Sequence, residues 1–179
     1  MTERTGEAFE LGEQLTVIGP RLQAGDRAPD FALESFDADA GAMQTVRLGD
    51  SAGKVRLLNV INSVDTPVCH IETRRWEGLR GDLPSDVVLA TVSMDLPFAL
   101  ARWRDAESAE HEFLSSHKNE DFGQSYGVLL KEWRLLQRAV FVIDQQDRII
   151  HAEYVADQME QPNYDDAVSA VRSAAGKRV

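Results

Sequence analysis

The sequence contains a single cysteine, Cys69, and its setting is typical of a reactive thiol. Thr66 is a good helix N-cap, and Pro67 suits the first helical position because its missing N–H is one that a helix leaves unpaired. Cys69 then lies in the first turn, where free backbone N–H groups and the positive end of the helix dipole favour an anion. Thiol pKa values at helix N-termini fall from about 8.5 to roughly 3.5–7.5. The spacing therefore predicts a nucleophilic thiolate.

The elements around Cys69 indicate an α/β arrangement. Residues Leu57–Ile61 form an apolar run that predicts a buried strand, and the helix that follows is expected from Pro67 to about Leu83. Val87–Ser93 is largely apolar, as expected for a parallel strand buried on both faces. A short helix around Phe98–Trp103 is predicted next. Cys69 would thus lie at a strand-to-helix junction, where α/β folds commonly place their chemistry.

The remainder of the chain adds strands and a terminal helix. Ala139–Asp144 predicts a third core strand, and Arg148–Tyr154 is expected to pair back on it across a polar turn. A final helix buries one face, marked by Tyr164, Val168, Val171 and Ala175.

The N-terminal part predicts a hairpin formed by residues 9–11 and 14–18 and a short strand at 28–33, with 34–54 polar and rich in turns. The order β-α-β-α-β-β-α after a hairpin is compatible with a thioredoxin-like fold, although the pattern alone would support several α/β arrangements.

Composition narrows the class of protein. A length of 179 residues, with 43% hydrophobic and 27% charged residues, predicts one globular domain over residues 1–179. A net charge of −11 argues against nucleic acid or anionic membrane as partners. One cysteine excludes a disulfide scaffold. The first seven residues lack the pattern of a signal peptide, so a cytoplasmic location is expected.

Six motifs in family order resemble the peroxiredoxins, specifically the bacterial thiol peroxidase branch, over nearly the whole chain. Those enzymes carry a threonine three residues before the reactive cysteine, as Thr66 stands before Cys69 here. The strongest blocks are 65–69 (DTPVC), 93–99 (SMDLPFA) and 138–144 (RAVFVID), and weaker ones lie at 25–31, 122–128 and 160–164. The resemblance selects the thioredoxin-like fold of peroxiredoxin type, with an N-terminal β-hairpin.

Two departures from the family pattern stand out. The motif begins with a proline seven residues before the cysteine, and Asn62 occupies that position. The branch places a second, resolving cysteine after the 93–99 block, where Arg104 aligns. Because the chain has no other cysteine, a sulfenic acid on Cys69 must be reduced by a thiol from outside the chain.

The resemblance implies roles for individual residues. Cys69 would be the peroxidatic nucleophile, Thr66 would hydrogen-bond the sulfur and the peroxide in addition to its capping role, and Arg138 would stabilise the thiolate and the transition state. Without the resemblance, Arg138 would be interpreted as a charge at a strand end. Asn62, Pro97 and Phe98 would line the substrate pocket, the alternative for the last two being ordinary core.

The expected function is a thiol-dependent peroxidase that reduces hydrogen peroxide and organic hydroperoxides, recycled by an external thiol such as thioredoxin or a low-molecular-weight thiol. The alternative is a non-catalytic peroxide sensor or interaction protein on the same scaffold. No cofactor or metal is expected, since His111, His117 and His151 show no ligand spacing. The resemblance also implies a homodimer, with residues 95–103 and Trp133 as candidate contacts. Trp133 could instead fold over its own pocket.

Overall fold

A computed structural model of the chain describes residues 1–176. Two sheets and four helices make up the fold. The strands are β1 (Glu3–Glu10), β2 (Glu13–Ile18), β3 (Ala32–Asp37), β4 (Ala42–Arg47), β5 (Arg56–Val60), β6 (Val88–Ser93), β7 (Glu112–Ser115), β8 (Leu129–Leu130), β9 (Leu135–Leu136), β10 (Ala139–Ile143) and β11 (Ile149–Tyr154). The helices are α1 (Pro67–Leu79), α2 (Pro97–Ala106), α3 (Asp121–Ser125) and α4 (Tyr164–Ala175).

The main sheet has seven strands in the order β11-β10-β5-β6-β7-β3-β4. Strands β5, β6 and β7 run parallel, and β10 is antiparallel to β5 on one side and to β11 on the other. The parallel strands are joined by α1 and α2, as crossover connections require. The prediction of a thioredoxin-like arrangement is confirmed.

Alternate side chains of the central strands feed two hydrophobic layers, because successive residues of a strand point to opposite faces. Leu57 and Val142 pack on one face against Trp76 of α1 and Val168 of α4. Leu58 and Phe141 belong to the other layer; its further members include Tyr126, Phe122, Val60, Val92 and Ile143. This two-sided burial explains why β10 is a continuous apolar run and why β5 and β6 are largely apolar, with their few polar side chains buried as well.

The predicted N-terminal hairpin is present as β1 and β2, which form a second, four-stranded sheet in the order β1-β2-β8-β9. Ala8, Leu15 and Leu130 form a buried cluster beneath it, and Trp133 packs against that cluster. Trp133 therefore packs on the hairpin of its own chain.

Three element predictions were wrong. The strand expected at 28–33 begins only at Ala32, and residues 34–54 contain the rest of β3 and all of β4 rather than turns alone. These two strands escape detection because most of their side chains are exposed or only half-buried, so neither forms an apolar run. Helix α1 ends at Leu79, not near Leu83, and a short 3-10 turn, Arg80–Asp82, follows. Among residues 1–176, no helix is long and apolar enough to cross a membrane.

Candidate active site

The loop between β5 and α1 is held in place by one carboxylate, that of Asp95. The backbone N–H of Val64 donates to Asp95 Oδ2 at 3.0 Å, and the Ser63 hydroxyl donates to Oδ1 at 2.7 Å. Ser93, at the end of β6, donates to the same carboxylate at 2.7 Å. The loop that precedes α1 is thus fixed to the segment that follows β6, the neighbouring parallel strand. These hydrogen bonds determine where α1 begins.

Thr66 occupies the N-cap position of α1 and Pro67 the first helical position, as the sequence predicts. The expected side-chain cap is absent, however. The Thr66 hydroxyl instead donates to the Ser63 carbonyl at 3.1 Å, because the tight loop brings that oxygen within reach. Among the described residues, the structure records no hydrogen bond between Thr66 and the sulfur of Cys69.

The side chain of Cys69 is fully buried in the first turn of α1. Its Sγ accepts a hydrogen bond from Arg138 Nη1 at 3.2 Å and lies 3.9 Å from Asn62 Oδ1. The apolar side of the site is a small cluster around the cysteine, made by Ile61, Val64, Leu100, Trp103, Ala109 and Phe113. A thiol in this position is shielded from water and faces a fixed cation.

Arg138 lies immediately before β10 and is almost entirely buried. Besides Cys69, its guanidinium donates to the carboxylate of Glu72 and to the backbone carbonyl of Gln158, the latter at 2.7 Å. A weaker contact joins Nη2 to Asn62 Oδ1 at 3.4 Å. Such a planar, permanently charged donor can hold several acceptors in fixed directions.

Asn62 is a hydrogen-bonded component of the site, although it stands where the family carries proline. Its Nδ2 donates to the Leu136 carbonyl at 2.6 Å and to Gln158 Oε1 at 3.1 Å. Gln158 Oε1 also accepts from the Arg138 backbone N–H at 2.9 Å. The amide therefore links the Cys69 loop to the segment that carries Arg138, a bond that proline could not make.

Glu72 is the main residue of the site that sequence reasoning missed. Its side chain is fully buried one turn after Cys69 and pairs with Arg138. Burial raises the pKa of Glu72 to about 7, and the nearby Arg138 charge offsets only part of that effect. Residues three apart share a helix face, so the spacing from Cys69 was the signal that could have found it.

The structure does not place every predicted pocket residue beside the sulfur. Pro97 is buried at the start of α2, whereas Phe98 is 55% exposed and packs edge-on against Phe36 with ring centroids 5.0 Å apart. Leu100 and Trp103 are the α2 side chains in the Cys69 cluster.

His70, the neighbour of Cys69, does not take part in the site. His70 turns away from the sulfur and accepts a hydrogen bond from Trp103 Nε1 at 2.9 Å. Among residues 1–176 no group of three or more His, Cys, Asp or Glu side chains is arranged to hold a metal ion. The site itself brings together one buried thiol, a guanidinium and a carboxyl group.

Comparison with known proteins points to the same chemistry. Residues 23–168 match the family model described as Redoxin. The chain is 43% identical over 164 residues to a thiol peroxidase of Streptococcus sanguinis, covering 91% of this chain and 97% of that one. It is 39% identical over 163 residues to a thiol peroxidase of Bacillus subtilis strain 168, covering 90% and 94%.

Solved structures show the same fold. A peroxiredoxin-like protein from Aquifex aeolicus superposes with a TM-score of 0.84 at 30% identity, over 95% of this chain and 98% of that one. A thiol peroxidase from Chromobacterium violaceum gives a TM-score of 0.82 at 22% identity, over 99% and 100%.

Proposed function

From the premise that the chain belongs to the Redoxin family and is a thiol-dependent peroxidase, we propose that Cys69 is the residue that attacks the peroxide. The observation that carries the proposal is the 3.2 Å contact between the fully buried Sγ and the Arg138 guanidinium. A cation at that distance favours the thiolate, which is the nucleophilic form.

The proposed reaction uses the thiolate and a hydroperoxide, ROOH. The Cys69 sulfur attacks the terminal peroxide oxygen, the O–O bond breaks, and the products are Cys69 sulfenic acid and RO⁻, which takes up a proton to become ROH. Negative charge moves from sulfur to the departing oxygen during this step. Arg138 lies where its N–H groups can follow that charge, and the site is already desolvated, so the stabilisation costs little reorganisation.

We propose supporting roles for the other residues. The Thr66 hydroxyl, at the N-cap of α1, would give up its hydrogen bond to the Ser63 carbonyl and hydrogen-bond the bound peroxide instead. Asn62 would keep the loop at its distance from Arg138. Pro97 and Phe98 would form the outer wall of the entrance rather than contact the sulfur, since Phe98 is exposed and lies outside the Cys69 cluster.

The sulfenic acid would be reduced by a thiol from outside the chain, such as thioredoxin or a low-molecular-weight thiol, because the sequence offers no second cysteine. We also propose a homodimer in the cytoplasm. The exposed Leu96 and Phe98 at the start of α2 support a dimer contact there, while Trp133 already packs on its own hairpin.

Intact mass and turnover test the proposed role of Cys69. One equivalent of peroxide should add a single oxygen to Cys69, and excess peroxide should drive it to sulfinic acid because no resolving thiol competes. Added thiol should restore the reduced mass after one equivalent and sustain repeated turnover. A Cys69→Ser variant is the control and should do neither. A protein that is oxidised once and then stops would be a sensor, and oxidation confined to methionines would refute the assignment.

A further inference from the structure

Cys69 and Glu72 share one buried cation. Arg138 Nη1 contacts both the Cys69 sulfur at 3.2 Å and a carboxylate oxygen of Glu72. The side chains of Cys69 and Glu72 are fully buried, and that of Arg138 is 1% exposed. If both acids were ionised, the cluster would hold two negative charges against one positive charge out of contact with water.

The groups that face Glu72 from the neighbouring elements do not supply a second cation. Glu153, on β11, adds negative charge. Tyr164, on α4, stays neutral at ordinary pH because burial raises its pKa. Arg75 lies on the exposed side of α1 over the Tyr164 ring, 4.2 Å from its centroid. Within residues 1–176, Arg138 is thus the cation to which Glu72 hydrogen-bonds.

A carboxylate near a thiolate in a desolvated site disfavours ionisation of both, and the two titrations become coupled. We propose that Glu72 takes up the proton that Cys69 loses, so that Arg138 neutralises one anion at a time. This inference concerns how the proposed peroxidatic site is charged, and it rests on the assignment of Cys69 in that site.

The geometry of Glu72 allows it to hold that proton. Oε2 is bonded to Arg138, whereas Oε1 is buried without a hydrogen bond of good geometry among the described residues, although the nearby Trp76 indole N–H favours the carboxylate. A proton on Oε1 would leave the Arg138 contact intact. The pKa of Glu72, raised to about 7 by burial, places its protonation in the range where the enzyme would work.

The proton balance of the oxidation by ROOH is then closed within the site. Proton transfer within the site converts Cys69–SH and the Glu72 carboxylate to Cys69–S⁻ and the Glu72 carboxylic acid, and this second form is the resting state. Attack on ROOH gives Cys69–SOH and RO⁻. Glu72 then gives up its proton, and RO⁻ takes up one proton to become ROH. Glu72 returns to the carboxylate and pairs with Arg138, which the sulfur no longer needs as a counter-charge.

Proton release on alkylation tests the inference without using peroxide. The native protein is treated with iodoacetamide in weak buffer at about pH 8, one unit above the pKa of Glu72, while the ultraviolet absorbance of the thiolate is followed. We expect the thiolate absorbance to be present beforehand and about one proton per Cys69 to be released as it is lost. Thiolate absorbance without proton release would overturn the proposal, and so would proton release from a cysteine that shows no thiolate absorbance.

The variant Glu72→Gln gives the second readout. Relieved of the competing charge, the midpoint of Cys69 alkylation against pH should move down by about one unit or more, and the coupled proton release should disappear. A Glu72 that only positions Arg138 would instead leave the midpoint unchanged or raise it. Glu110→Gln removes the same charge from an exposed carboxylate paired with Arg80 and should leave the midpoint where it is. Failure of the peroxide assay with these results intact would count against the proposed function alone.

Discussion

Replacing Glu72 by glutamine in a Cys69→Ser background should make the protein relatively more stable as pH rises. The background removes the thiol from both proteins, so that ionisation of Cys69 does not contribute to the difference between glutamate and glutamine at position 72. The folded protein holds the Glu72 proton up to a pKa of about 7, whereas the unperturbed value is 4.5. Between these values the folded state binds more protons than the unfolded state, so its unfolding free energy falls as pH increases.

The size of the effect follows from the same two values. The difference between them corresponds to about 3 kcal/mol at 1.36 kcal/mol per pKa unit, and burial of the side chain leaves little solvent screening to reduce it. Below the unperturbed value both states are protonated and the contribution vanishes. Above about pH 7 it is fully present, as a cost that glutamine does not carry. Any pH-independent cost of burying the glutamine amide changes the difference in unfolding free energy equally at low and at high pH.

Urea unfolding at a series of pH values from acid to mildly alkaline measures the difference in unfolding free energy directly. The expected result is a difference that moves by about 3 kcal/mol in favour of the glutamine variant across the series. The matched control, Glu110→Gln in the same background, changes an exposed ion pair and should stay nearly flat. A flat difference for Glu72→Gln, or one that favours glutamate at high pH, would show that the carboxyl is ionised in the folded state and refute the reasoning.

Three further outcomes are expected. Arg138→Met should raise the midpoint of Cys69 alkylation by about 1–3 pH units through loss of the neighbouring cation, with exposed Arg148→Met as the control; an unchanged midpoint would make Arg138 structural. Arg104→Cys should form an intramolecular disulfide with Cys69 after peroxide treatment and resist over-oxidation, provided the first turn of α1 can unwind. If mass spectra show no disulfide, this turn stays closed. Phe98→Glu should convert a dimer to a monomer in light scattering while Trp133→Glu should not, since Trp133 packs on its own hairpin; a monomeric native protein would end the dimer proposal.

The core of the fold is predictable from the sequence because its strands are buried on both faces. Leu57–Ile61 and Val87–Ser93 are largely apolar and do not alternate between polar and apolar residues, which is what the sandwiched strands β5 and β6 require. The hairpin of β3 and β4 lacks that signal. Residues 42–45 are all exposed at the edge of the sheet, so only pairing with β3 identifies them as a strand.

The site also has a part that is predictable from local sequence and a part that depends on strand pairing. Local chemistry places Cys69 in the first turn of a helix, and the helix begins at Pro67 as predicted. Spacing cannot link Cys69 to Arg138, since their contact depends on the antiparallel pairing of β10 with β5. Glu72 resembles an ordinary solvent-facing acid of a surface helix. The same strand pairing brings Arg138 to it, and that cation accompanies it in the buried site.

The complete burial of Cys69 has a kinetic consequence for any reductant. No outside molecule, whether thiol, peroxide or alkylating agent, can touch a sulfur with no exposed surface, so each reductive step, like each oxidation, must include a local opening near the first turn of α1. The observed rate is then the intrinsic rate multiplied by the fraction of molecules that are open. Asp95 and the His70–Trp103 hydrogen bond oppose that opening, and every 1.4 kcal/mol or so that they add lowers the open fraction about tenfold. The contacts that shape the loop therefore also limit how fast the enzyme can be recycled.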